Sequence, residues 1–378
     1  MLPQDHSRAH LAGRVQRAHG PAIVTLREGR VTDITSREVP TMRDLMERDD
    51  LADYLRRAPG EDIGAIEDLL AASTEDPGTP HLLAPADLQA IKASGVTFAE
   101  SMVERVIEEQ AAGDADRAQE IRARVQGVIG DSLSGIVPGS DKAMQVKAVL
   151  QAEGLWSQYL EVGIGPDAEV FTKCQPMAAV GWGASVGLHP ISNWNNPEPE
   201  IVLAIDSRGR IRGATLGNDV NLRDVEGRSA LLLGKAKDNN ASAAIGPFIR
   251  IFDAHYTIDD MRAAELTLTV TGEDGFALEG RSSMSKISRD PESLVAQTIG
   301  RHHQYPDGFL LFLGTLFAPI QDRDAPGQGF THKTGDRVVI AEDRLGALRN
   351  TVRLSTECPE WSFGTGALMR NLAERGLL

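Results

Sequence analysis

The apolar and polar positions of this chain change period along its length. Near the N-terminus, β-branched runs on either side of Glu28-Gly29 predict a hairpin over Ala22–Thr35. Leu45, Met46, Leu51 and Leu55 predict a helix beginning near Pro40-Thr41, and a second is predicted around Ile63 to Leu70. The stretch Thr74–His81 is dense in proline, glycine and acidic residues and reads as a linker. It places a small N-terminal α+β domain at residues 1–80 and a larger domain at 81–378. Residues 97–160 are predicted to be largely helical: Met102, Val103, Val106, Ile107 and Gln110 share one face, and Ile121, Val125 and Val128 continue the pattern. From about residue 166 the chain turns β-rich. Ala264–Val270 and Phe276–Arg281 flank a Gly-Glu-Asp-Gly turn, which predicts a hairpin. Pro291–Ile299 reads as a helix with proline in its first turn, and MRNLAERGLL closes the chain as a short helix. The fold class is α+β, predominantly β, with peripheral helices.

Composition narrows the function. The chain has 378 residues, 41% hydrophobic and 25% charged, as in ordinary globular proteins. A net charge of −15 argues against nucleic acid or an anionic membrane as partner, because both require a basic surface. It does not exclude an anionic substrate, since a bound cation and local lysines set the field inside a site. Two cysteines, Cys174 and Cys358, are too few for a disulfide framework or a thiolate zinc site. The N-terminal MLPQDHSRAHLAGR lacks an apolar signal core, and no run spans a bilayer, so a cytoplasmic location is expected.

The chemistry concentrates in WNNPEPEIVLAID and LGNDVNLRD. Glu198 and Glu200 open an apparent strand over Ile201–Ile205, and residues two apart in a strand project from the same face. A turn at Ser207–Arg210 sends the chain back, bringing Asp219 toward the glutamate pair. Three converging carboxylates repel one another unless a cation lies among them. All-oxygen ligation suits Mg²⁺, or alternatively Mn²⁺ or Ca²⁺, rather than Zn²⁺. By spacing alone, three surface carboxylates on a solvated hairpin fit equally well.

The order of motifs resolves this. The Glu198-x-Glu200 pair, Asp219 with Arg223 and Asp224, and Lys237 in KAKDNNASAAIGP resemble the metal-site segments of the fumarylacetoacetate hydrolase superfamily. So do Phe171-Thr172-Lys173, the Gly181-Trp182-Gly183 turn and GQGFTHKTGDRV with its Thr331. WSQYLEVGIGPDAE, EGRSALLLGKAKDNN and FAPIQDRD resemble the bacterial branch that dehydrates 2-keto-3-deoxy-pentonates. The resemblance implies a β-roll catalytic domain and a metal site of Glu198, Glu200 and Asp219. It further implies conversion of 2-keto-3-deoxy-D-pentonate to 2,5-dioxopentanoate by a homodimer or homotetramer.

In that chemistry a 2-keto acid chelates a cation, which withdraws charge from C2 and acidifies the C3 hydrogens, so that a C4 hydroxyl can leave. The same logic serves acylpyruvate C–C hydrolysis, the alternative activity. Hydrolase members carry a water-activating histidine where GVTFAESMVE has Ser101, and a serine without an adjacent base cannot take that role near neutral pH. This favours dehydration. Glu169 and Glu104 are the candidate acid/base groups. Lys237 is a candidate for base or substrate binding, and Lys173 and Thr331 are candidates for contacts with substrate. Arg223 and Asp224 are expected to brace the metal loop. His302-His303 and Cys174 are expected to be structural.

Overall fold

The computed structural model describes the chain except residues 1, 113, 119–120, 122–135, 153–155, 318 and 325–328. Val125 and Val128, predicted as helix, lie outside the described residues.

Two sheets face each other across one core. The larger has eleven strands; at its centre Ala243–Ile251, Ile211–Asp219, Pro199–Ile205, Phe309–Phe312, Ala90–Gly95 and Glu169–Cys174 lie side by side in that order. The smaller has five, in the order Ala277–Ser283, Glu265–Thr271, Arg337–Glu342, Gly346–Leu354 and Ser185–Leu188. Ile201, Leu203 and Ile205 pack toward the smaller sheet with Leu268, Val338 and Leu348. Val202 and Ala204 point the other way, onto Met42, Leu45, Met46, Leu51 and Leu55. Burial on both faces explains why this strand reads as an unbroken apolar run.

The helix predicted near Thr41 forms as two, Met42–Glu47 and Leu51–Arg57, the first capped by the Thr41 hydroxyl accepting from the Asp44 N–H. The second predicted helix is preceded by a short strand, Glu61–Ala65, and spans Ile66–Ala72. The N-terminal segment 1–80 is continuous with the large sheet: Leu11–Arg17 pairs antiparallel with Ala243–Ile251, Leu11 opposite Arg250. In the region expected to be helical, Ala99–Gln110, Asp141–Ala152 and Gln158–Ile164 are helices. Met102, Val103, Val106 and Ile107 form a separate apolar cluster there with Leu160 and Trp194. No helix among the described residues is long and apolar enough to cross a membrane.

One glycine positions the site. Gly217 lies directly opposite Glu200 in the antiparallel pair, and a Cβ there would strike the Phe312 ring and a Val202 methyl. Gly217→Ala is therefore expected to destabilise the fold by about 1–3 kcal/mol through overpacking. Thermal unfolding measures this, and an unchanged midpoint would show that the two strands separate freely.

Candidate active site

The two central strands meet edge to edge at the site. Glu198, Glu200 and Val202 share a face, as do Asp219 and Gly217 on the neighbouring strand, with Gly217 paired to Glu200. The Asp219 N–H donates to the Glu198 carbonyl at 3.0 Å, which holds the third carboxylate beside the first. Carboxylate oxygens of Glu198, Glu200 and Asp219 all lie within 4.8 Å of one another, and all three residues are buried. The solvated-hairpin alternative is excluded by that burial.

The charges around the cluster are unevenly shared. Glu198 is contacted on one oxygen by Arg105 and on the other by the Lys237 ammonium at 2.5 Å. Asp219 lies 2.8 Å from Lys173 Nζ and 3.3 Å from Lys237 Nζ. Burial opposes its ionisation, but the two lysines hold its carboxyl below the usual range. Glu200 accepts only the Gly314 N–H, at 2.7 Å, and has no cationic partner among the described residues. Burial, reinforced by Asp219 and Glu198, pushes its carboxyl well above the ordinary range. Three hard oxygen donors around a carboxylate left without a cation fit a divalent ion such as Mg²⁺.

A small cavity of about 10 Å³ adjoins the triad, walled by Arg105, Glu169, Phe171, Glu226, Lys237 and Ser101 among others. Glu169, at the start of its strand, is raised by burial and by the Glu198 and Asp219 charges, against the pull of Arg105 and Lys237. Lys237 is buried, which would favour the free amine, yet the Asp219, Glu198 and Glu226 carboxylates raise its proton affinity above the usual lysine range. The Ser101 hydroxyl donates to the Phe98 carbonyl at 2.8 Å. Among the described residues of the cavity wall there is no histidine.

Three residues expected to act on substrate lie outside the cavity wall. Glu104 is absent from the cavity wall and accepts from Arg223 Nη2 at 3.0 Å. Lys173 sits behind Asp219, bonded also to the Lys237 carbonyl and to the Val220 carbonyl at 3.3 Å, so it braces the triad from the core. The Thr331 hydroxyl donates to the Asn193 carbonyl at 3.1 Å and accepts from the Asn195 N–H at 3.2 Å, securing the loop before Glu198. Arg223 joins Glu108 at 2.6 Å and stacks over Trp194, and Asp224 accepts from Ser192 and Asn193, which is bracing as expected. Cys174 is buried and its thiol is pushed up to about 12, so it is inert. His302 lies in an exposed turn.

Arg105 and Glu226 were not anticipated. Arg105 Nη1 bonds Glu108 at 2.6 Å and lies 3.1 Å from Glu226 Oε2, an ion pair without hydrogen-bond geometry. Glu226 lies three residues past Arg223 and seven past Asp219, so its nearness to the GNDVNLRD segment was the available signal. Among the described residues, a larger, shallow cleft between Arg208–Ile211 and the helix Pro291–Thr298 carries no comparable cluster of buried carboxylates.

Residues 166–353 match the family described as fumarylacetoacetate hydrolase, C-terminal. The chain is 31% identical over 185 residues, 49% of its length, to the 2-dehydro-3-deoxy-D-arabinonate dehydratase of Saccharolobus solfataricus, of which 58% is covered. It is 30% identical over 194 residues, 51% of its length, to a Haloferax volcanii protein named "Probable 2-keto-3-deoxyxylonate dehydratase", of which 63% is covered. The chain thus spans less than two thirds of these relatives. A solved 2-keto-3-deoxy-D-arabinonate dehydratase, complexed with magnesium and 2,5-dioxopentanoate, superposes with a TM-score of 0.62 at 21% identity, over 91% of this chain and 99% of that one. A fumarylacetoacetate hydrolase from Exiguobacterium antarcticum superposes at 0.53 and 14% identity, over 92% of this chain and 100% of that one. Residues 166–353 therefore belong to the fumarylacetoacetate hydrolase superfamily, and the α+β fold is the one the resemblance implies.

Proposed function

We propose that this chain is a metal-dependent dehydratase of a 2-keto-3-deoxy sugar acid, acting on 2-keto-3-deoxy-D-pentonate to give 2,5-dioxopentanoate. The observation that carries this reading is the buried Glu198–Glu200–Asp219 cluster beside Glu169, in a cavity whose Ser101 is occupied by a backbone carbonyl. The names of the two relatives and of the solved complex support it. With it go Mg²⁺ as the ion, a homo-oligomeric assembly and a cytoplasmic location.

Glu198, Glu200 and Asp219 would hold the cation. When bound, the ion supplies a Lewis acid for the keto and carboxylate oxygens of a 2-keto acid, acidifying C3. Glu169 takes the C3 proton; burial lifts its proton affinity toward the working range of a base that must also return the proton. Lys237, held as an ammonium, offsets the substrate carboxylate. Phe171 excludes water from one wall of the cavity. The absence of a histidine on that wall speaks against activation of an attacking water, and so against acylpyruvate hydrolysis.

Turnover of 2-keto-3-deoxy-D-pentonate with Mg²⁺ and with EDTA, coupled to an aldehyde dehydrogenase, tests this reading. Semialdehyde should form with Mg²⁺ and stop with EDTA. Cleavage of an acylpyruvate, with the pentonate left untouched, would establish the hydrolase in its place.

A further inference from the structure

We infer that Glu226 is the second proton-transfer residue of this site, protonating the C4 hydroxyl as it leaves and then removing a proton from C5. The inference rests on the dehydratase reading above and adds a residue that the motif comparison does not assign.

Dehydration of this substrate needs two groups. One removes the C3 proton, and the other must neutralise the departing hydroxide. Glu169 serves the first need. The other acid/base candidate from the sequence, Glu104, is absent from the cavity wall and pairs with Arg223. Glu226 is on that wall, 4% exposed, at the end of the short helix Arg223–Glu226 that follows the Asp219 strand. Its Oε2 accepts no hydrogen bond of good geometry and lies between Arg105 Nη1 at 3.1 Å and Lys237 Nζ at 4.0 Å. Buried carboxylate oxygens are seldom left in this condition without a reason.

Charge balance favours a proton here. Glu169, Glu198, Glu200, Asp219 and Glu226 face Arg105 and Lys237 within the wall, with Lys173 behind, while Arg105 is shared with Glu108, which pairs with Arg223 and through it with Glu104. Seven carboxyls thus stand against four cations; a divalent cation leaves one negative charge uncompensated, and the substrate carboxylate adds another. In a buried, low-dielectric site the remedy is a proton retained on one carboxyl. The three metal-holding carboxylates cannot keep it, and Glu169 must be free to take the C3 proton. Glu226 remains. Burial, opposed by Arg105 and Lys237 and reinforced by Glu198 and Glu108, raises its carboxyl to about 7.

The proton ledger then closes. The C3–H bond breaks, its proton passes to Glu169, and an enolate forms across C2 and C3. The enolate pair becomes the C3–C4 double bond while the C4–O bond breaks, and the Glu226 proton leaves with the hydroxyl as water. Glu226, now a carboxylate, removes a C5 proton; the electrons shift to C4–C5, and C3 recovers the proton from Glu169. The resulting C5 enol ketonises to the aldehyde. Both glutamates end as they began, and no external oxidant or reductant is involved.

Glu226→Gln in D₂O separates this role from a structural one. The variant is expected to bind Mn²⁺ as the wild type does, to exchange the C3 hydrogens of the pentonate for deuterium, and to form semialdehyde at least about 100-fold more slowly. Glu226→Asp should recover part of the elimination rate. Elimination by Glu226→Gln at the wild-type rate would overturn the assignment. So would loss of C3 exchange together with elimination while Mn²⁺ binding is intact. A wild-type enzyme that binds Mn²⁺ yet neither exchanges nor dehydrates the pentonate would overturn the dehydratase reading itself, and this role with it.

Discussion

Glu200→Gln is expected to stabilise the metal-free protein while abolishing its response to Mg²⁺ and its activity. Glu200 is buried with one N–H donor and two like charges for neighbours. Removing an uncompensated buried charge favours the folded state, here by about 1–3 kcal/mol, and the glutamine oxygen can still accept from Gly314. The pH dependence has a definite sign. Burial and the neighbouring carboxylates raise the folded-state proton affinity of Glu200 above that of the unfolded chain. The stability of the metal-free wild type therefore falls as pH rises through and above the ordinary glutamate range. The advantage of the glutamine variant should accordingly be larger at pH 8 than at pH 4. Metal reverses the ranking. At a hundred times its dissociation constant Mg²⁺ stabilises the wild type by about 2.7 kcal/mol and the variant by almost nothing. Turnover should fall about a thousandfold, the equivalent of roughly 4 kcal/mol of lost transition-state stabilisation. Thermal scans with and without Mg²⁺ read both effects. An undiminished Mg²⁺ shift in the variant would remove Glu200 from the metal site.

Lys237→Met should raise affinity for the metal while lowering turnover. The ammonium lies 2.5 Å from Glu198 and 3.3 Å from Asp219, so it competes with a cation for the same carboxylates. A uncharged side chain of similar length removes that competition, and Mg²⁺ should bind on the order of tenfold more tightly. The backbone carbonyl of residue 237, which holds Lys173 and accepts from Ser242 at 2.7 Å, is retained. Without metal the variant leaves buried carboxylates short of a partner and should lose about 3–5 kcal/mol of stability. Loss of the charge that offsets the substrate carboxylate should lower turnover by about 10²-fold. Calorimetric titration with Mg²⁺ alongside steady-state kinetics tests the pair of effects. Weaker metal binding with unchanged turnover would reduce Lys237 to a structural cation.

The convergence of the three carboxylates was legible in the chain because its geometry is local, while their reading as a metal site came from the order of the motifs. A two-residue period puts Glu198 and Glu200 on one face, and a four-residue turn returns Asp219 alongside them. The hairpins over Gly20–Asp33 and Glu265–Ser283 were legible for the same reason. What only the tertiary structure decided depends on distant segments. The composition of Thr74–His81 suggested a boundary, but Leu11–Arg17 pairs with Ala243–Ile251 across more than half the chain, and no local pattern records that partner. Glu104 and Arg105 are neighbours on one helix and point about 100° apart, so the docking of that helix selected which of them enters the cavity. Docking sent Arg105 to Glu198 and left Glu104 to Arg223. Glu226 lies close to Arg223 in sequence, yet its role depends on burial beside Arg105 and Lys237, which brings together three separate elements. Short-range periodicity determined where the carboxylates converge. Long-range packing determined which charges surround them, because the proton affinity and partners of a buried group are set by segments far from it in sequence.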